Sequence, residues 1–380
     1  MEKTRAGRFI FIDGLRGVAA MLVVFFHLHE AVGEVAADWI HPLIKSAFGY
    51  GYLGVDVFFV ISGFVISYSV RNAKHTPGFL FRFGVRRSIR LDPPYWLTIV
   101  LELLLIKLGL LLFPGLDTPF PSVEKVLVHF VYLQDLLGYG NIVAIFWTLA
   151  YEVQFYLVFV SFLVLLRYLG IRFGQYIAAN FALILNALLF VFSLLVFYRV
   201  VENPLSGLFV ERWYQFFIGF LAMRCLLDGR VKAEFLLATV GILAGCVFFW
   251  DFAGPNCVTT LVVSWALVYA GLRGKMTAWL STISWQFLGR ISYSLYLVHP
   301  VVGWRFIKLL HEIHGEQFTA VQAWFVLASG VAVSVLSAWL MYRFIEAKSL
   351  RVCHRVRMDQ PLTLGVLKNA WLNRNNIDRA

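Results

Sequence analysis

An all-α, polytopic membrane helical bundle is the fold class this sequence predicts, on three observations. Apolar runs of about twenty residues, the length a helix needs to cross a bilayer, recur along the whole chain. Only 14% of the 380 residues are charged and 60% are hydrophobic, whereas a soluble domain averages about 25% charged. The basic residues are also divided unevenly between the segments that join the runs. Ten candidate helices follow, near 9–30, 50–70, 94–113, 142–166, 176–197, 207–224, 235–252, 256–272, 288–309 and 321–342. With the N-terminus in the cytoplasm, the segments 1–8, 71–92, 167–175, 224–232, 273–275 and 343–380 hold 24 Lys and Arg, and the outside segments together with the span ends that adjoin them hold six. That asymmetry, with an even number of spans, predicts both termini on the cytoplasmic side of the membrane. Residues 1–345 form the membrane domain and 346–380 a basic cytoplasmic tail. The net charge of +11 is spread over short inter-helix segments rather than along one helix face, so nucleic acid is not an expected partner.

The first helix carries the least expected residues. Asp13-Gly14-Leu15-Arg16-Gly17 leads through an apolar run to His27. A buried Arg in a membrane span is costly and by default faces a polar cavity or partner. Eleven residues make about three turns, so Arg16 and His27 share a face, about 16 Å apart along the axis. Asp13 lies one turn before Arg16 and can pair with it, while His29 points to the other side. The chemical reading makes His27 a base and Arg16 a holder of an anion or carbonyl. The structural reading makes both members of an interhelical network. Lys3, Arg5 and Arg8 ahead of an apolar run also suit a signal peptide, but Asp13 and Arg16 argue for a retained helix.

The second span opens with Gly54-Val55-Asp56 and contains Ser62-Gly63. Asp56 lies near the outer end, where charge is cheaper, and Ser62-Gly63 admits a close neighbour. The loop after it is dense in arginine: Arg86 and Arg90 stand at i and i+4 with Arg87 beside them, a forked grip for phosphate or for an anionic lipid headgroup. Glu102 in the third span is a buried carboxylate, and Lys107 beyond it can snorkel. Residues 126–137 are apolar but short, which suits a re-entrant or interfacial piece. The fourth span holds Glu152 within Trp147-Thr148-Leu149-Ala150-Tyr151-Glu152, either a proton handler or a partner that orients a His. The ninth reads Ile291-Ser292-Tyr293-Ser294-Leu295-Tyr296-Leu297-Val298-His299-Pro300, in which Ser292, Tyr296 and His299 share a face. Cys225, Cys246, Cys257 and Cys353 have no metal spacing, and no metal site is expected.

Taken together and in order, these motifs resemble the acyltransferase 3 family of bacterial membrane O-acyltransferases, from about residue 10 to 345. The resemblance implies transfer of an acyl group, commonly acetyl, from cytoplasmic acyl-CoA as a co-substrate to a hydroxyl, often on a glycan or lipid-linked saccharide. It maps Arg16 and His27 onto the family's essential pair, and Arg86, Arg87 and Arg90 onto its basic donor-side motif. Glu152 and His299 fall on further recurrent polar positions. Glu152 is the third catalytic candidate beside His27 and Arg16, and Asp13, Asp56, Ser62, Ser292, Tyr296 and His299 form the expected supporting polar network. Val153 stands where the family usually has a second acid, and the tail after 345 is too short for the esterase-like domain that some members carry. A proton-coupled transporter or flippase is the alternative that the same buried groups allow.

Overall fold

The computed structural model describes residues 9–36, 40–112 and 119–356. The chain ends predicted to be basic, 1–8 and 357–380, lie outside them. The described residues are mostly helical and contain no strand. Each predicted segment lies on a helix: α1 Ile10–Gly33, α2 Gly54–Val70, α3 Pro77–Leu112, α4 Phe146–Phe173, α5 Gln175–Phe197, α6 Trp213–Asp228, α7 Ala233–Phe248, α8 Trp250–Leu272, α9 Ile283–Val298 and α10 Ala320–Met341. Among the described residues, seven helical stretches are long and apolar enough to cross a membrane. Of the others, α7 is apolar but falls short by length, with 16 residues, about 24 Å of helix against a hydrocarbon core of about 30 Å.

Three segments depart from the expected boundaries. The arginine-rich stretch is helical rather than a loop, because α3 runs unbroken from Pro77 through Pro93 and Pro94 to Leu112. Around the prolines, side-chain hydroxyls engage the backbone: Tyr293 donates to the Leu91 carbonyl at 2.8 Å and Thr98 to that of Pro94 at 2.8 Å. The short segment after α3 holds a helix of eight residues, Val123–Phe130. It spans only about 12 Å and lies against α3, where Trp96 donates to the Phe130 carbonyl. The predicted ninth span is broken at its middle by a wide π turn, His299–Trp304, before Arg305–His314. Pro300 lacks the N–H that a regular α-helix needs there, and π turns of this kind absorb such interruptions. A second π turn, Tyr342–Glu346, follows α10 and leads into Ala347–Arg355.

Small residues set how the central helices meet, as expected where lipid supplies no hydrophobic drive between helices. A side chain on Gly17 would lie 2.8 Å from the Gly289 backbone nitrogen, and one on Gly289 would strike the Asp13 carbonyl. Ten residues further along both helices, His27 meets His299. The offset of 272 is therefore kept over the whole contact, which makes α1 and α9 parallel neighbours in one register. Gly63 of α2 and Gly219 of α6 meet the backbone of Phe216 and Val60 in the same way. Phe155 of α4 stacks on Phe216 at 4.1 Å and closes the third side of this core.

Candidate active site

At the end of the bundle where α1 begins, a vestibule of about 660 Å³ opens between α1, α2, α3, α9 and the Ala347–Arg355 helix. Its wall is cationic: Arg16, Arg86, Arg87, Arg90 and Arg290 line it, with Asp13 and Glu346 as the carboxylates. Arg86 and Arg90 share it because α3 is helical there, and residues four apart stand on one face. Arg86 also donates to the Val356 carbonyl at 3.4 Å. A smaller chamber of about 80 Å³ lies deeper, and Arg16, Arg87, Arg90 and Val65 belong to both. Arg87 sits over the Tyr156 ring at 4.8 Å, a cation–π contact that holds the guanidinium at the junction.

The chamber is lined on its polar side by Ser62, Thr148, Glu152, Tyr156, Ser292 and Tyr296, and on its apolar side by Val55, Phe58, Phe59 and Leu149. Glu152 accepts from Ser62 at 2.6 Å and also from the Tyr156 hydroxyl through one of its oxygens, Oε1. Ser292 turns its hydroxyl back to the Gly289 carbonyl at 2.9 Å. Tyr296 and Thr148 share a hydroxyl bond of 2.8 Å, and the Tyr296 ring meets Phe58 at 5.8 Å and His299 at 5.9 Å. Beyond that ring pair lies the imidazole pair. His299 Nε2 is 3.1 Å from His27 Nδ1, which is also 3.1 Å from the Val23 carbonyl, and His299 Nδ1 is 3.1 Å from the Leu295 carbonyl.

The predicted residues therefore divide. Arg16, Arg86, Arg87, Arg90, Asp13, Ser62, Glu152, Ser292 and Tyr296 line two cavities that share Arg16, Arg87 and Arg90, whereas His27 and His299 line neither and pair with each other behind Tyr296, whose ring meets His299. Asp56 does not belong there. It is 2% exposed and sealed in a separate cluster, accepting from Arg212 at 3.2 Å, Gln215 at 2.7 Å and Asn256 at 2.6 Å. Glu102 is likewise elsewhere, in a two-point ion pair with Arg305 whose second contact is 2.7 Å. His29 is buried and bonded to the Phe26 carbonyl of its own helix, while Lys107 is exposed.

Glu346 was missed by reasoning from sequence. It lies where the chain reads as the start of a basic tail, yet the second π turn buries it against the vestibule, where it accepts from Ser294 at 2.6 Å. The available signal was an acid directly after the last apolar run, within Arg343-Phe344-Ile345-Glu346. Thr148 lay inside the quoted motif, and Tyr156 one turn after Glu152, without being singled out. Among the described residues, no group of three or more His, Cys, Asp or Glu is arranged to hold a metal ion.

The fold and site define a helical membrane protein with an arginine-walled vestibule, a smaller chamber that shares its arginines and an imidazole pair behind Tyr296. A family model described as an acyltransferase domain, that of the acyltransferase 3 family, matches residues 9–343, and the chain belongs to that family. It is an integral-membrane O-acyltransferase. Among its relatives, the acyltransferase MdmB of Streptomyces mycarofaciens is 26% identical over 93% of this chain and 94% of its own length. BcsY of Komagataeibacter xylinus, named as a membrane-bound transacylase, is 26% identical over 87% of this chain and 81% of its own length. A Staphylococcus aureus (strain COL) protein named as an O-acetyltransferase is 24% identical over 88% of this chain, which spans 56% of that relative's length. No solved structure matches the chain.

Proposed function

We propose that the enzyme takes an acyl group, most simply acetyl, from cytoplasmic acyl-CoA and passes it to a hydroxyl of a glycan or lipid-linked saccharide that arrives from the opposite side of a bacterial inner membrane. The observation that carries this reading is the shared wall of vestibule and chamber, formed by Arg16, Arg87 and Arg90. CoA is polyanionic and cannot enter a bilayer, whereas its pantetheine arm is thin and its thioester is neutral. A wide cationic vestibule that narrows into a small chamber suits both parts. Arginine forks grip phosphate oxygens in pairs, and the chamber admits only the arm. Arg16 stands about 16 Å along the axis from His27, beyond the reach of its side chain, so its role is to position the donor rather than to touch the reacting carbonyl.

His27 acts as general base. It takes the acceptor's hydroxyl proton as that oxygen attacks the thioester carbonyl; the new C–O bond forms and the C–S bond breaks. The CoA thiolate then leaves with the proton returned by the imidazolium. Glu152, held by Ser62 and Tyr156, keeps negative charge in the chamber near the arginines. The parallel packing of α1 and α9 supports the topology with both termini inside, because the first and ninth of ten alternating spans run in the same direction.

The test is release of free CoA from acetyl-CoA by purified protein in nanodiscs, with and without a panel of saccharide acceptors. Release that depends on acceptor and disappears in a folded His27→Ala protein is the expected result. Absence of release with every acyl-CoA, with all acceptors present, would overturn the donor assignment.

A further inference from the structure

We propose that His299 is a positioning residue that holds His27 in the tautomer protonated at Nδ1, leaving Nε2 as the basic nitrogen. The inference rests on the reading of His27 as the base and assigns which ring atom does the work and what fixes it.

The assignment follows from counting protons. A carbonyl oxygen can only accept, so the 3.1 Å contact between His299 Nδ1 and the Leu295 carbonyl places a proton on His299 Nδ1. A neutral imidazole then has a bare Nε2. Protonating that nitrogen as well would leave a cation on a side chain that is 0% exposed and has no carboxylate among its hydrogen-bond partners, a costly state. His299 Nε2 is therefore an acceptor, and its hydrogen-bond partner among the described residues is His27 Nδ1, at 3.1 Å. That atom must supply the proton. The Val23 carbonyl, also 3.1 Å from His27 Nδ1, imposes the same demand, so one N–H is shared between two acceptors, a common arrangement on helices. Both contacts select one tautomer.

No described residue hydrogen-bonds to His27 Nε2, and the His27 side chain is only half-buried. Its lone pair is left for the acceptor's proton. When Nε2 takes it, the imidazolium still donates through Nδ1 to His299 and Val23, so no partner has to move during the step. The opposite tautomer would have its proton already on Nε2 and could not serve as base there. In triad enzymes a carboxylate performs this orienting task; here a neutral imidazole does. His299 is itself held firmly. It opens the π turn His299–Trp304, is followed by Pro300, and that turn is pinned by Gly303, whose site against Ser334 and Leu28 leaves no room for a side chain.

The decisive experiment is ¹⁵N NMR of full-length protein labelled at histidine nitrogens in nanodiscs, with the His27 signals assigned by their loss in His27→Asn. The expected wild-type spectrum has Nδ1 protonated and Nε2 bare. His299→Leu, which removes the acceptor while keeping bulk, is expected to shift His27 toward the Nε2-protonated form. It should lower kcat about 100-fold, within the range of general-base contributions, with KM for the donor unchanged. His299→Gln, whose amide oxygen can accept where Nε2 did, is expected to retain the Nδ1-protonated form and most of kcat. A wild-type His27 protonated at Nε2, or a His27 spectrum unaltered by His299→Leu, would overturn the proposal. The nitrogen spectrum is read without turnover, so failure of the acyl-CoA assignment would show separately, as absent CoA release beside the expected tautomer.

Discussion

Two carboxylates set within apolar helices of this molecule, Asp56 and Glu152, look alike in sequence and differ in what surrounds them. Asp56 and Glu152 each stand within an apolar helix and each invite the suspicion attached to an intramembrane acid. Asp56 is met on both oxygens: Arg212 and Gln215 donate to Oδ1 and Asn256 to Oδ2. Glu152 receives both of its donors, Ser62 and Tyr156, on the single oxygen Oε1, and its carboxylate lines an open chamber. A charge whose partners are complete is a structural bolt. One left partly open beside a cavity is available to a substrate, and the difference lies in neighbours rather than in the residue.

Several substitutions would break or sharpen this contrast. The largest effect is expected at the imidazole pair: His27→Ala should reduce turnover by up to about 10⁴-fold, or about 5 kcal/mol of barrier, with unchanged thermal stability. CoA release and a melting curve on the same sample decide it. Asp56→Ala should instead act on stability, destabilising by about 3 kcal/mol because Gln215 and Asn256 lose their buried acceptor and the half-buried Arg212 keeps only its longer pair with Glu211, at 3.7 Å. An unaltered melting temperature for that variant would refute the structural role. Arg87→Gln combined with Arg90→Gln should raise KM for acyl-CoA, with each lost charge-assisted bond worth about 1.5 kcal/mol, or roughly tenfold, while kcat changes little. An equal fall in kcat would place these groups in the chemical step instead. Smallest, Glu152→Gln should leave stability within about 0.5 kcal/mol, since an amide oxygen can still accept from Ser62 and Tyr156. It should lower kcat/KM a few-fold, measured by acyl-CoA titration.

The pattern of helices was legible because bilayer thickness imposes a length on every span, and each apolar run is an independent record of it. The boundaries that moved did so where partners outside the run intervene. The Pro93-Pro94 pair suggests a helix start, yet α3 passes through it with Tyr293 donating to the backbone beside it. The His299–Trp304 π turn is signalled by Pro300 but not specified by it. Of the site, the arginines and His27 stood out because charge inside an apolar segment is conspicuous. Glu346 did not, because beside Lys348 and Arg351 an acid reads as part of a solvated tail.

Periodicity and composition alone determined the membrane bundle, the set of polar residues it must accommodate and the shared face of Arg16 and His27, because those follow from the geometry of a single helix. Which of those residues meet was decided only by tertiary structure. Asp56 finds Asn256 across 200 residues of chain, and His27 finds His299 across 272. No local pattern encodes such pairings. They arise where Gly17 lets the backbone of α9 approach α1 and so sets the register in which ten further residues bring two imidazoles together.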